Sequence, residues 1–201
     1  MLTTTFTLLR KARVLPETEY RKLAKTLGGI TKYGRNKPIP LLTILEINSL
    51  VDCILALQAI PKDQAATRNR IARHFACDCA QRVLPIWLEQ FPDDIRPQQA
   101  IDVARRYADG NATAEELSVA EAAAKDASWL PVEPATDIME RAHMDVASEF
   151  AVKSIKWSAA PSATDAAFRT ARYAPDAATL FAGRSSAWHA TQTAQEGTNS
   201  P

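Results

Sequence analysis

The stretch IARHFACDCAQRVLPIW, residues 71–87, spaces its apolar side chains as a helix does. Ile71, Phe75, Cys79, Val83, Ile86 and Trp87 recur at intervals of three and four, so they share one face of a rod with about 3.6 residues per turn. A strand would need strict alternation, and it is absent. Pro85 lies inside this pattern and cannot donate a backbone hydrogen bond to residue 81, which predicts a kink. Pro61 and Asp63 read as the start of the helix, and FPDDIRP, residues 91–97, as the turn that follows it.

The same stretch holds two of the chain's three cysteines, beside a histidine and an aspartate. Residues two apart on a helix are rotated by about 200°, so Cys77 and Cys79 point to opposite faces and do not chelate one ion. Cys79 continues the apolar stripe and is expected in the core. Cys77 falls on the polar side with Arg70, Arg73 and His74 within two turns, and nearby cations lower a thiol's pKa. Cys77 is therefore the candidate reactive thiol. His74 shares a face with Cys77 and Asp78, but Cys53, His143 and His189 add no recognised ligand spacing, so no metal is expected.

Outward from this helix the chain repeats one theme. It has 201 residues, 46% of them hydrophobic, and only six glycines, a composition that favours helix over sheet. A short helix is expected around Thr5–Arg13 with Leu8 and Leu9 inward. A second, over ETEYRKLAKTLGG, carries Tyr20, Leu23, Ala24 and Leu27 on one face and stops at Gly28. GITKYGRNKPIP reads as a loop. LLTILEINSLVDCILALQAI then gives one or two buried helices broken near Asn48 and Ser49. Beyond the central helix, PQQAIDVARRYADG predicts a helix capped at Gly110, and TAEE at Thr113–Glu116 a capping box for a helix running to about Ser128. The last third, from about Thr136, places Ile138, Ala142, Val146, Phe150 and Trp157 along one side. Pro161 and Pro175 divide it from Ala-rich helices holding Phe168, Tyr173, Leu180, Phe181 and Trp188. The expected architecture is all-α: an irregular bundle of eight to ten short helices with no sheet. A basic helical part over 1–60 is followed by a central and C-terminal Ala-rich part over 61–195, with a disordered tail at 196–201.

Net charge is only +1, yet residues 1–40 carry nine Lys and Arg against Glu17 and Glu19. A basic end of this kind can meet an acidic protein or a nucleic acid. The candidate partner-binding residues are Arg21, Lys22, Lys25, Lys32, Tyr33 and Arg35. For nucleic acid, Arg10, Lys11 and Arg13 join them, Tyr33 would stack, and Arg68, Arg70 and Arg73 would extend the surface. Trp129 and Trp188 are the other anchor candidates, since tryptophan and arginine are common at interfaces.

Several chemistries are excluded. Gly29 and Gly34 have the spacing of a phosphate loop, but Arg35 and Asn36 follow where Lys and Ser or Thr are required. No nucleophile elbow, zinc-protease motif or dinucleotide fingerprint is present. The pairs Asp93/Asp94 and Glu115/Glu116 occur where helix starts favour acids. No cofactor is expected. No run of about 18 apolar residues exists to span a membrane, and the charged start MLTTTFTLLRKARVL is unlike an export signal, so a cytoplasmic protein with reduced thiols is expected.

The segment ARHFACDCAQRVLPIWLEQFPDDIRPQQAIDVARRYADGNATAEEL, residues 72–117, resembles the helical "putative immunity protein" family of bacteria and phages. In that family a Cys-bearing helix ending RVLPI is followed by a PDD-RP turn and an AI-ARRYA-G helix. The front of the chain is similar to phage-encoded proteins that carry the same central segment, so the resemblance spans about residues 3–120 and is most specific at Arg82–Gly110. It implies a wholly helical fold and a non-enzymatic role in binding another protein, and it transfers no catalytic residue. The functional expectation is a phage-type or mobile-element protein that binds and neutralises a toxin or a host-defence component. The alternative is a nucleic-acid-associated protein using its basic N-terminal face.

Overall fold

The computed structural model of the protein describes residues 1–127, 153, 155–160 and 162–174. Its N-terminal part is a cluster of short helices built by local stop signals. Helix α1 (Phe6–Ala12) starts at Thr5, whose hydroxyl accepts from the Leu8 amide at 3.1 Å. Helix α2 (Glu17–Thr26) buries Tyr20 and Leu23 and ends before Gly28 and Gly29, two consecutive residues at φ of 84° and 94°. Side chains with a Cβ rarely adopt that geometry. It turns the chain into the single-turn helix α3 (Ile30–Tyr33). Helices α4 (Leu41–Ile47) and α5 (Leu50–Ala56) are separated at the expected place, because the Ser49 hydroxyl accepts from the Asp52 amide at 3.1 Å and caps α5.

The structure adds one feature to the all-helical expectation. Strands β1 (Thr3–Thr4) and β2 (Ile39–Pro40) pair antiparallel, Thr3 opposite Pro40 and Thr4 opposite Ile39. Two β-branched residues ahead of a helix cap favour extended backbone, and the residues before Pro38 and Pro40 are pushed the same way. The pair is held in place by side chains: Thr4 Oγ1 donates to the Ala59 carbonyl at 2.6 Å, and the Thr3 amide donates to Gln64 Oε1 at 3.0 Å. The fold remains essentially all-α, since the sheet has only two residues in each strand.

Two short 3-10 turns, Leu57–Ala59 and Lys62–Gln64, lead into α6 (Ala65–Gln90), the 26-residue helix that organises the rest. Pro85 lies within it and faces solvent. Helix α7 (Arg96–Ala108) follows a turn in which Asp94 accepts from the Arg96 amide at 3.2 Å, and Pro97 sits in the first turn of α7, where its missing N–H costs nothing. Helix α8 (Ala114–Ala127) opens on the expected capping box. The Thr113 hydroxyl accepts from the Glu116 amide at 3.2 Å, and the Glu116 carboxylate accepts from the Thr113 amide at 2.7 Å.

The apolar stripe predicted for α6 is corrected by one residue over its first half. Ile71 is 49% exposed, and Phe75 and Cys79 are only half-buried, whereas Ala72, Arg73, Ala76, Cys77 and Ala80 are buried. Two sets of neighbours explain the shift. On one side Ala76 packs with Ala160 and Ala166, and Ala72 joins Ala163 and Ala167 of the helical stretch 163–174. On the other, Cys77, Ala80 and Leu84 meet Ala100, Ile101 and Ala104 of α7 and Leu117, Ala120 and Ala124 of α8. Small side chains let neighbouring backbones approach closely, so in an Ala-rich bundle the small face is covered and bulkier Ile71 is left outside. From Val83 onward expectation and structure agree, with Val83, Ile86 and Trp87 all buried.

Arg73 marks the junction. It is 2% exposed and donates to the carbonyls of Ser158, at 3.1 Å, and Ala160, while its guanidinium lies 5.5 Å from the centre of the Tyr107 ring. Burial lowers its pKa, and the carbonyl dipoles and aromatic ring hold the retained charge. Of the aromatics expected in the last third, Trp157, Phe168 and Tyr173 are half-buried. Trp129, Ile138, Ala142, Val146, Phe150, Leu180, Phe181, Trp188 and the expected tail at 196–201 lie outside the described residues.

Candidate functional site

Four of the nine basic N-terminal residues converge on a groove between α1, α2 and the α3 turn, with a volume of about 750 Å³. Its floor is apolar, made by Phe6, Tyr20, Ala24 and Ile30, and its rim carries Arg10, Lys11, Arg21 and Arg35 against the single carboxylate of Glu17. The floor is rigid because Phe6 and Tyr20 are buried edge to face, ring centres 5.6 Å apart, and the Tyr20 hydroxyl donates to the Phe6 carbonyl at 3.3 Å. Burial raises the Tyr20 pKa, so the phenol stays neutral there. The far wall is pinned from α1: the Thr7 amide donates to the Arg35 carbonyl at 3.2 Å, and the Thr7 hydroxyl donates to Asn36 Oδ1 at 2.6 Å.

Glu17 organises the rim. Its two oxygens are taken separately, one by Arg10 Nη1 at 2.7 Å and the other by Arg21 Nε at 2.9 Å. The hydrogen bond from Arg21, with the charges of Arg10 and Arg21, holds the Glu17 carboxyl below the usual carboxylate range. The guanidinium of Arg10 also sits 5.2 Å from the centre of the Tyr20 ring. Two arginines are thereby oriented around one carboxylate at the mouth of the groove.

Of the candidate partner-binding residues Arg21 and Arg35 line this groove, and of the further nucleic-acid candidates Arg10 and Lys11 do. Lys22, Lys25 and Lys32 are exposed but are not among its lining residues, and Lys22 lies 3.9 Å from Glu19. Tyr33 is half-buried and engaged: its ring meets Phe6 at 5.9 Å and Lys37 at 4.7 Å, and its hydroxyl donates to the Pro38 carbonyl at 2.9 Å. It is poorly placed to stack on a base. Arg73, expected to extend a basic surface, is instead buried in the junction described above, while Arg70 pairs with Asp109 at 3.0 Å. Glu17 and Arg21 are an i,i+4 pair on α2 that helix periodicity could have signalled, whereas only the fold brings Arg10 of α1 to the same carboxylate.

The reactive-thiol expectation for Cys77 is corrected. Its thiol is fully buried against α7, with Sγ donating to the Ile101 carbonyl at 3.8 Å, and burial pushes its pKa up to about 12 despite the charges of Arg105 and Arg73. That is the reverse of activation. The error follows from the phase of α6: the side taken as polar is the side covered by α7 and α8. Cys79, half-buried, and Cys53 also have their pKa values raised by burial. His74 turns to Asp109 at 3.0 Å and Asp78 pairs with Arg105 at 2.8 Å, and the described residues contain no cluster of three or more metal-binding side chains.

The central helices carry a second observation. Residues 64–142 match the model of the Imm-5 like putative immunity protein family. The match covers under half of the chain. It begins just ahead of α6 and takes in α6, α7, α8 and the whole Arg82–Gly110 portion on which the sequence resemblance was most specific. Comparison with curated proteins and with solved structures returned no match. The matched segment supplies most of the Ala-rich core around Cys77, Ile101 and Leu117, which Ile155 and Ala159 complete, and the basic groove is built by residues that precede the match.

Proposed function

We propose that this is a non-enzymatic protein that binds and neutralises another protein, as toxin immunity or as inhibition of a host-defence component, in the cytoplasm of a bacterial host and in a phage or mobile-element setting. The observation that carries the reading is the match of residues 64–142 to the Imm-5 like putative immunity protein family, since immunity is protection against another protein. The environment of the cysteine nearest to a chemical motif supports it, because a thiol raised to about 12 is a poor nucleophile at neutral pH. No helix among the described residues is long and apolar enough to cross a membrane, in keeping with a diffusible binder. A cationic groove would speed encounter with an acidic partner.

The second reading, a nucleic-acid-associated protein, rests on the same exposed cations at Arg21, Lys22, Lys25, Lys32 and Arg35. A tagged pull-down from host lysate, with and without nuclease and at low and moderate salt, separates the two. One stoichiometric protein retained through nuclease and salt is the expected result. Recovery that collapses with nuclease would put nucleic acid first.

A further inference from the structure

We propose that the groove between α1 and α2 seats an acidic segment of the partner, with side-chain carboxylates on Arg10, Arg21 and Arg35 and an apolar side chain between them on Ala24 and Ile30. The inference rests on the reading of the chain as a protein-binding module and names the chemistry that module recognises. Glu17 is the internal evidence for it. Its carboxylate shows that Arg10 and Arg21 are already positioned to grip a planar anion from two sides, at 2.7 and 2.9 Å. Each guanidinium has five N–H donors and gives one to Glu17 in these bonds. At 63% and 77% exposure, the other donors of Arg10 and Arg21 are open to a second carboxylate.

Charge and shape point the same way. Four cations face one carboxylate across the rim, and a volume of about 750 Å³ admits several side chains. The floor discriminates between anions. A single-stranded nucleic acid is held by stacking its bases on exposed aromatic faces, but Phe6 is 1% and Tyr20 8% exposed, and Tyr33 is engaged by Phe6 and Lys37. What the floor offers instead is the aliphatic surface of Ala24 and Ile30, suited to an aliphatic side chain flanked by acids. Because the Thr7 amide holds the Arg35 carbonyl and the Thr7 hydroxyl holds Asn36 beside it, the backbone of the far wall is set before binding and less ordering is needed on association.

Fluorescence anisotropy on the full chain tests this, with a fluorescein-labelled peptide of Glu and Asp around a central Leu, its Gln/Asn counterpart, and a single-stranded oligonucleotide. The acidic peptide binds and the amide peptide does not. The double substitution Arg10→Ala/Arg21→Ala, at two exposed positions, weakens binding by about tenfold, while Glu17→Gln, which frees both guanidinium groups, tightens it by about threefold. Circular dichroism verifies that both variants stay folded. Peptide binding unmoved by either variant overturns the assignment, as does an oligonucleotide that binds more tightly than the peptide and responds to the same substitutions. Capture from host lysate keeps the two levels apart. A stoichiometric protein retained equally by wild type and the double variant would refute the groove while leaving protein binding intact. Acidic-peptide binding with no protein captured would sustain the groove's chemistry and refute the neutralising role.

Discussion

Unfolding the protein at about pH 8 and about pH 10, with and without the substitution Cys77→Ala, measures how completely α7 and α8 cover that thiol. Burial holds the Cys77 pKa at about 12 against an ordinary value of 9.0. Between those values the folded chain keeps the proton and the unfolded chain loses it. The stability that depends on the neutral thiol is fully present below about pH 9 and declines as pH rises toward about 12, by about 1.4 kcal/mol per pH unit. Integrated from about pH 8 to about pH 10, this one group removes about 1.4 kcal/mol from the wild type. Cys53, Cys79 and Tyr20, whose pKa values are also raised by burial, act in the same direction, but they are present in both proteins and cancel in the comparison. Cys77→Ala leaves a small void at a weak Sγ contact to Ile101, costing about 1 kcal/mol at either pH. Urea denaturation followed by far-UV circular dichroism reads both quantities. The wild type should lose about 1.4 kcal/mol more than Cys77→Ala between the two pH values. Equal losses in the two proteins would show that Cys77 titrates as freely folded as unfolded, and the phase assigned to α6 would be wrong.

The phase of α6 also predicts an inverted response to side-chain size. Ala76→Leu, at a fully buried position against Ala160 and Ala166, should cost about 1–3 kcal/mol, whereas Ile71→Ser, at a position 49% exposed, should stay within about 0.5 kcal/mol, both read from urea midpoints. Thr113→Ala removes the hydroxyl that caps α8 and should cost about 1 kcal/mol in the same assay; no change would mean that the capping box does not support the helix. Asp109 accepts from His74, and its bond to that ring, together with Arg70, holds its carboxyl below the ordinary range. The stability it contributes is present above the ordinary Asp value and lost as pH falls through the depressed one, so acid unfolding of Asp109→Asn should show a shallower pH dependence than wild type.

The elements set by nearest neighbours were legible in the chain. Thr113 and Glu116 announced the start of α8, Ser49 the break between α4 and α5, and Gly28 the end of α2, because each signal acts within three or four residues of itself. The short β1–β2 pair was not legible, since it joins residues 3–4 to residues 39–40 and is secured by Gln64 and Ala59 from elsewhere. The candidate site was partly legible: Arg10, Lys11, Arg21 and Arg35 were singled out as cations and line the groove, whereas Lys22, Lys25 and Lys32 do not. Nothing local indicated that the Tyr33 ring would be spent on Phe6, which reaches it from α1.

Taken alone, then, the amino-acid sequence determined the helical class, the positions of the main caps and breaks, and the concentration of positive charge in the first 40 residues. The buried face of α6 was decided only in three dimensions. A hydrophobic pattern weights Ile71 and Phe75 over alanine, but close packing favours the face on which Ala72, Ala76 and Ala80 admit their neighbours. The partners that cover this face and take the Arg73 charge include the carbonyls of Ser158 and Ala160, separated from it by 85 and 87 residues. No local pattern carries that information. The groove has the same origin, since Arg10 and Arg21 come from different helices and become a two-sided grip only when α1 and α2 pack around Phe6 and Tyr20 with Glu17 between them.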